Sequence, residues 1–137
     1  MKNWRGWLVN DEQVYADTDF ILAIIKEEDW LQSNARDILE KYDGNIVTSA
    51  TTFLETLLVL KREGIKQYTP IVQDILEIAE PLHVEEETLF QAAFYMEDGA
   101  NPFDAFHLAQ SKDRKIISSD KEFDQLGAER IKLEKGN

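Results

Sequence analysis

The sequence predicts a three-layer α/β/α sandwich built around a parallel sheet of about five short strands. Three observations carry that expectation. Short apolar runs alternate with stretches of helical spacing, which is the pattern of strands joined by helical crossovers. The 137 residues, 43% hydrophobic and 31% charged, suffice for one domain with its own core. There is no cysteine, so disulfides, thiolate metal sites and cysteine nucleophiles are excluded.

The first thirteen residues, MKNWRGWLVNDEQ, read as an extension whose Trp4, Trp7, Leu8 and Val9 pack onto a domain spanning 14–137. The domain opens with a strand near Val14 to Ala16, then a helix in FILAII and a second in DWLQSNARDILEKY, where Trp30, Leu31, Ala35, Ile38 and Leu39 keep helical spacing. Asp43-Gly44-Asn45 breaks that helix. NIVTS is the second strand, and it leads into a helix from about Ala50 to Glu63 that Gly64 stops. Another helix covers Thr69 to Glu80 and ends at Pro81, after which PLHV reads as a brief strand.

EEETLFQAAFYMED is a helix whose first-turn glutamates suit the macrodipole. Asn101-Pro102 is a capping residue followed by proline at the first helical position, and that helix runs to about Asp113. KIISS is a strand, DKEFDQL a short helix and ERIKLE the last strand.

Charge is unevenly spread. The formal net charge is −12, and no Lys or Arg lies between Lys66 and Lys112, whereas basic residues slightly outnumber acidic ones after Asp104. Nucleic-acid affinity rests largely on Lys and Arg neutralising phosphate. An acidic chain therefore needs metal ions or a partner subunit to hold such a ligand. No apolar run approaches the ~18 residues that span a bilayer, and the N-terminus lacks a signal-like stretch, so a soluble cytoplasmic protein with no membrane partner is expected.

Four acids stand where solubility alone does not explain them. Asp17 ends VYA, Glu55 lies inside TTFLETLLVL, Asp104 opens the helix after Asn101, and Asp120 follows IISS. In a parallel α/β fold strand ends and helix starts converge on one sheet edge, where ligands bind. Like charges gathered there are tolerable when a cation binds among them. All-oxygen ligation suits Mg²⁺ or Mn²⁺ and disfavours zinc or copper. The pattern thus predicts a metal-dependent hydrolase of phosphate esters, with a small ribonuclease as the leading form.

Each acid has a competing structural role. Asp17 or Asp19 would cap the helix that follows them. Glu55 fits a capping box with Thr52, an explanation that fails if the helix starts near Ser49 or Ala50. Asp104 suits the dipole of its helix, and Asp120 would be surface decoration if Ser119 and Glu122 cap the next helix. Asp19 and Asp124 are candidate extra ligands, and Ser118 is a hydroxyl able to bond a ligand carboxylate. His107, one turn after Asp104, reads as a polar filler, since no second histidine lies near it.

The series YADTDFILAII, TSATTFLETLLVL and NPFDAFHLAQSKDRKIISSDKEFDQL resembles the PIN domain, the fold of VapC-like toxin ribonucleases, over about Val14 to Leu133. The resemblance implies a five-stranded parallel sheet and a pocket in which Asp17, Glu55, Asp104 and Asp120 bind Mg²⁺ or Mn²⁺, with Ser118 and Asp124 supporting. It implies an RNA substrate, a homodimer and, for toxin members, an inhibitory antitoxin protein. Asp19 stands where Asn is usual, Ser119 replaces a frequent basic residue, and the first thirteen residues have no counterpart. Two other readings remain: a catalytically weak PIN-like interaction module, and a haloacid-dehalogenase-type phosphatase using the D-T-D turn, which lacks the glycine usual after that motif.

Overall fold

In the computed structural model, residues 12–26 and 29–134 are described; the extension with Trp4, Trp7, Leu8 and Val9 lies outside them. Among the described residues, five strands and seven helices alternate: β1 Val14–Ala16, α1 Thr18–Ile25, α2 Gln32–Tyr42, β2 Ile46–Thr48, α3 Ala50–Arg62, α4 Thr69–Ile78, β3 Glu80–Pro81, α5 Glu86–Glu97, α6 Pro102–Ser111, β4 Ile116–Ser118, α7 Glu122–Gln125 and β5 Arg130–Lys132. The sheet order is β3-β2-β1-β4-β5, and every neighbouring pair is parallel. The expected sandwich is the observed one.

Strand periodicity sends alternate side chains to opposite faces. Val14, Ala16 and Ile117 join Phe20, Ile21, Ala35 and Ile75 in the core beneath α1, α2 and α4. Tyr15, Val47 and Ile116 face the other way and meet Leu108 of α6 and Phe123 of α7. β1, β2 and β4 are buried at every position. Such strands read as continuous apolar runs because both faces are covered.

The helix boundaries follow local chemistry. α3 ends in a Schellman arrangement: the Ile65 N–H donates to the Leu60 carbonyl and the Gly64 N–H to the Lys61 carbonyl, with Gly64 at φ +91°. Asn101 caps α6 as expected, its side-chain oxygen accepting from the Asp104 N–H at 2.9 Å.

Several boundaries differ from the expectation by a few residues, α2 starting at Gln32 rather than Asp29 among them, and two have a plain local cause. α4 stops at Ile78 and the third strand is Glu80–Pro81 rather than PLHV. A residue before proline avoids the helical region, so the chain extends before Pro81 instead of at it. The Pro81 ring costs the sheet little at this edge, and the ladder resumes where the Leu82 N–H donates to the Thr48 carbonyl. α6 ends at Ser111, two residues early, because Lys112 takes φ +55°.

Two substitutions check this account. A non-glycine residue held at positive φ costs on the order of 1 kcal/mol, so Lys112→Gly is expected to stabilise the domain by about that much in urea unfolding. Ile117, fully buried between the sheet and α1, is expected to cost about 2–5 kcal/mol when cut to alanine, whereas exposed Leu54→Ala stays within about 0.5 kcal/mol.

Candidate metal-binding site

Sheet register sets the centre of the site. Tyr15 pairs with Val47 on one side, and Ala16 pairs with Ile117 on the other. One step further along the strands, Asp17 therefore lies level with Ser118 and beside the start of α3. Its backbone N–H donates to the Ile117 carbonyl at 3.1 Å, and the Ser118 hydroxyl donates to Asp17 Oδ2 at 2.7 Å. Asp17 also caps α1: the Thr18 N–H donates to Oδ1 at 2.8 Å. Capping and site placement are thus one arrangement, and the carboxylate is buried.

Glu55 reaches the same place from α3. The helix starts at Ala50 after Ser49, so Glu55 is too deep to form a capping box with Thr52. Its Oε1 accepts instead from the Thr18 hydroxyl at 2.5 Å and from His107 Nε2 at 2.6 Å. Burial pushes the Glu55 pKa up, but the bonds from His107 and Thr18 and the charge of the imidazole outweigh it and hold the carboxyl below its ordinary value.

Asp104 and Asp120 lie outside the closest cluster among the described residues, in which Asp17, Glu55 and His107 bring one ligand atom each within 4.8 Å of one another. Burial, then the charges of Asp120 and Asp17, raise the Asp104 carboxyl to about 6. The repulsion is felt between acids that come from the ends of β1 and β4 and the first turn of α6. Asp104 Oδ2 is held by the Asn101 side-chain amide at 2.7 Å. Asp120 Oδ1 accepts from the Glu122 N–H at 2.9 Å, and its own N–H donates to Ser118 Oγ at 2.9 Å. Asp120 thus holds the first N–H of α7 from just ahead of Lys121, which stands at the N-cap position.

Three carboxylate oxygens, Oε2 of Glu55, Oδ1 of Asp104 and Oδ2 of Asp120, have no hydrogen-bond donor among the described residues. None of the three is sealed from solvent, and Asp120 is exposed, so these anionic oxygens are open to an arriving cation. Hard oxygens of this kind fit a divalent ion such as Mg²⁺ or Mn²⁺.

The supporting residues divide. Asp19 accepts from the Ser119 N–H at 2.7 Å and from the Ser119 hydroxyl, so the two positions that depart from the resembled pattern are partners. Asp19 Oδ1 is buried without a donor among the described residues. Asp124, expected as an extra acid, is spent elsewhere: Arg130 Nε and Nη2 bond its two oxygens at 3.1 and 2.9 Å and keep its pKa below the ordinary value. Arg130 also reaches Glu134 and the Ser118 carbonyl, which makes this cation a tie between β4, α7 and β5 rather than a phosphate contact.

His107 is the site residue that sequence reasoning set aside. Its ring is 1% exposed. Nε2 lies 2.6 Å from Glu55 Oε1 and 3.2 Å from Asp17 Oδ1, while Nδ1 lies 2.8 Å from the Tyr15 hydroxyl. Burial of the ring opposes its charge, yet Tyr15, Asp17 and Glu55 together lift its pKa well above the ordinary value. One oxygen each of Asp17 and Glu55 and one ring nitrogen of His107 lie within 4.8 Å of one another. A signal was present: Asp104 and His107 are three apart on one helix, hence on one face.

The crowded acids make stability depend on pH. Burial and the charge of Asp17 raise Asp19 from its ordinary 3.8 to about 7. The unfolded chain then ionises this group first, so the metal-free protein loses stability as pH rises from about 4 to 7. At about 1.4 kcal/mol per pK unit, Asp19→Asn is expected to stabilise by up to about 4 kcal/mol at pH 8 and by almost nothing at pH 4. Urea melts in EDTA at the two pH values measure this, and equal gains at both would refute it.

The comparisons with known proteins agree with this geometry. A family model described as PIN domain matches residues 14–129. No curated protein matches the sequence. Among solved structures, the crystal structure of VapC20 from Mycobacterium tuberculosis, a toxin described as cleaving the sarcin–ricin loop, superposes with a TM-score of 0.75 at 19% identity, over 88% of this chain and 99% of that one. With its five parallel strands in this order, its acids at one sheet edge and a family match across nearly the whole chain, the protein belongs to the PIN-domain family.

Proposed function

We propose that this protein is a metal-dependent endoribonuclease that hydrolyses RNA phosphodiester bonds, and that it acts as the toxin of a toxin–antitoxin pair. The observation that carries the reading is the set of donor-less oxygens on Glu55, Asp104 and Asp120 gathered around buried Asp17 in a PIN-family chain. Asp17, Glu55, Asp104 and Asp120 hold the ion, which is Mg²⁺ or Mn²⁺. Bound there, the ion supplies Lewis-acid stabilisation of the negative charge that builds on the phosphodiester in an in-line displacement by water.

The chain's own residues prepare that site. Ser118 and the Thr18 N–H fix the two oxygens of Asp17, so its orientation is set before any ligand arrives. Asn101 does the same for one oxygen of Asp104. Ser119 holds Asp19 through its N–H and its hydroxyl, in the first turn of α1 two residues from Asp17.

The partners follow from the surface. Asp74, Glu77, Glu85, Glu86, Glu87, Glu97 and Asp98 leave the α4–α5 region unsuited to phosphate. α5 also exposes Phe90 at 76% and Phe94 at 67%, with Leu89 beside them. An exposed apolar stripe of this kind supports the expected homodimer. RNA is the substrate, and a structured loop is the first to try, since VapC20 is described as cleaving one. Among the described residues no helix is long and apolar enough to cross a membrane. We place the protein in the cytoplasm, where its RNA and an antitoxin partner reside, and take residues 14–137 as the nuclease unit with 1–13 as an extension.

Asp17→Asn provides the test. Asparagine still caps α1, so the domain is expected to stay folded while RNA cleavage falls at least about 100-fold, because the substitution removes one negative charge from the centre of the site. EDTA is expected to abolish wild-type cleavage, and Mn²⁺ or Mg²⁺ to restore it. Full activity in EDTA, or in the folded variant, would reject the reading. The interaction-module alternative predicts no cleavage of any RNA, with a thermal stability indifferent to either ion.

A further inference from the structure

A chain of hydrogen bonds runs behind the acids and is not explained by packing alone. Ser49 Oγ lies 2.5 Å from the Tyr15 hydroxyl, that hydroxyl 2.8 Å from His107 Nδ1, and His107 Nε2 2.6 Å from Glu55 Oε1. Tyr15 and His107 are both fully or almost fully buried, and Ser49 is at 0%. The rings of Tyr15 and Phe123 contact the imidazole edge-on at 5.7 and 6.4 Å, which fixes its plane. A carboxylate only accepts, so the short contact to Glu55 places a proton on Nε2 whichever charge the ring carries.

The consequence for Glu55 is geometric. Oε1 takes two donors, from His107 and Thr18, which leaves Oε2 as the oxygen without a donor among the described residues. A glutamate on an exposed helix face would sample many rotamers; here two buried donors select one. The same Nε2 stands 3.2 Å from Asp17 Oδ1, so a single imidazole spaces the carboxylates that arrive from β1 and α3.

We infer that His107, anchored through Tyr15 to Ser49, is a positioning residue that clamps Glu55 and Asp17 in the ion-binding arrangement and does not itself ligate the ion. This rests on the metal-dependent reading above. It assigns a role to the buried Tyr15–His107 pair that neither capping nor core packing requires. An outer partner of this kind is worth about 10–100-fold in metal affinity.

The test compares two substitutions at one position in the full-length protein. The side-chain amide nitrogen of glutamine reaches where Nε2 stands, and that of asparagine reaches only as far as Nδ1. His107→Gln is therefore expected to keep Mn²⁺ affinity, measured by calorimetry, within about threefold of wild type. His107→Asn is expected to weaken it by about 10–100-fold and to lower kcat more than it raises KM for RNA. Melting in EDTA reports the folding cost of each variant separately. Tyr15→Phe, which removes one hydroxyl from the anchor, repeats the test if His107→Asn does not fold, and is expected to weaken Mn²⁺ several-fold.

Unchanged Mn²⁺ affinity in both His107→Asn and Tyr15→Phe would overturn the inference, as would equal losses in the asparagine and glutamine variants. Pulsed electron paramagnetic resonance of the Mn²⁺-loaded wild type is expected to show no nitrogen bound directly to the metal; a directly coordinated imidazole nitrogen would also overturn it. Wild-type protein that binds neither Mn²⁺ nor Mg²⁺ would defeat the metal reading itself. Wild-type binding that the asparagine and phenylalanine variants retain would defeat this inference alone.

Discussion

Asp17 stands where β1 gives way to α1, and the surrounding architecture is organised by the bonds that let a carboxylate remain there. Its backbone N–H belongs to the β1–β4 ladder, its Oδ1 caps α1, and its Oδ2 takes the Ser118 hydroxyl from the neighbouring strand. A carboxylate with this burial is costly unless donors surround it. Here the donors come from three separate elements, so strand register, helix start and site geometry cannot vary independently. Shifting β1 against β4 by one residue would carry Asp17 away from Ser118 and turn Tyr15 out of the face where His107 waits.

The acids beyond Asp17 show how repulsion is shared out rather than removed. Glu55 is kept ionised by His107 and Thr18, whereas Asp104 and Asp19 are pushed toward protonation near neutral pH by burial and by their acidic neighbours. Such divergent behaviour among adjacent carboxyls marks functional sites. Arg130 marks the contrast: it is buried in the β4–β5 region, but its donors are consumed by Asp124, Glu134 and the Ser118 carbonyl. That cation therefore braces the frame and contributes nothing to the acidic pocket, where His107 is the basic side chain that meets Asp17 and Glu55.

Several features could be read without coordinates because they rest on local chemistry. Asn101-Pro102 announces a helix start through capping and a fixed φ, and Gly64 announces a stop through its left-handed conformation. Asp17 and Asp120 follow apolar runs, and in a parallel sheet such positions share an edge. The third strand was misplaced by a residue or two because the influence of Pro81 acts on the residue before it. The end of α6 was missed because lysine gives no sign that it will adopt a positive φ. The spacing of Asp124 from Asp120 makes it a candidate supporting acid, and nothing in that spacing shows Arg130 arriving from β5 to bond it.

His107 marks the limit most clearly. A histidine surrounded in sequence by Phe, Leu and Ala reads as a filler, and its partners Tyr15, Asp17 and Glu55 are 92, 90 and 52 positions away along the chain. Alternation, caps and apolar periodicity determined the class of fold and which acids reach the sheet edge, since each depends on residues within a few positions of one another. Only the tertiary structure decided which oxygens are held and which are left without a donor, and that one imidazole sits between two of the acids. Those outcomes depend on distances between side chains that meet only after the helices close over both faces of the sheet.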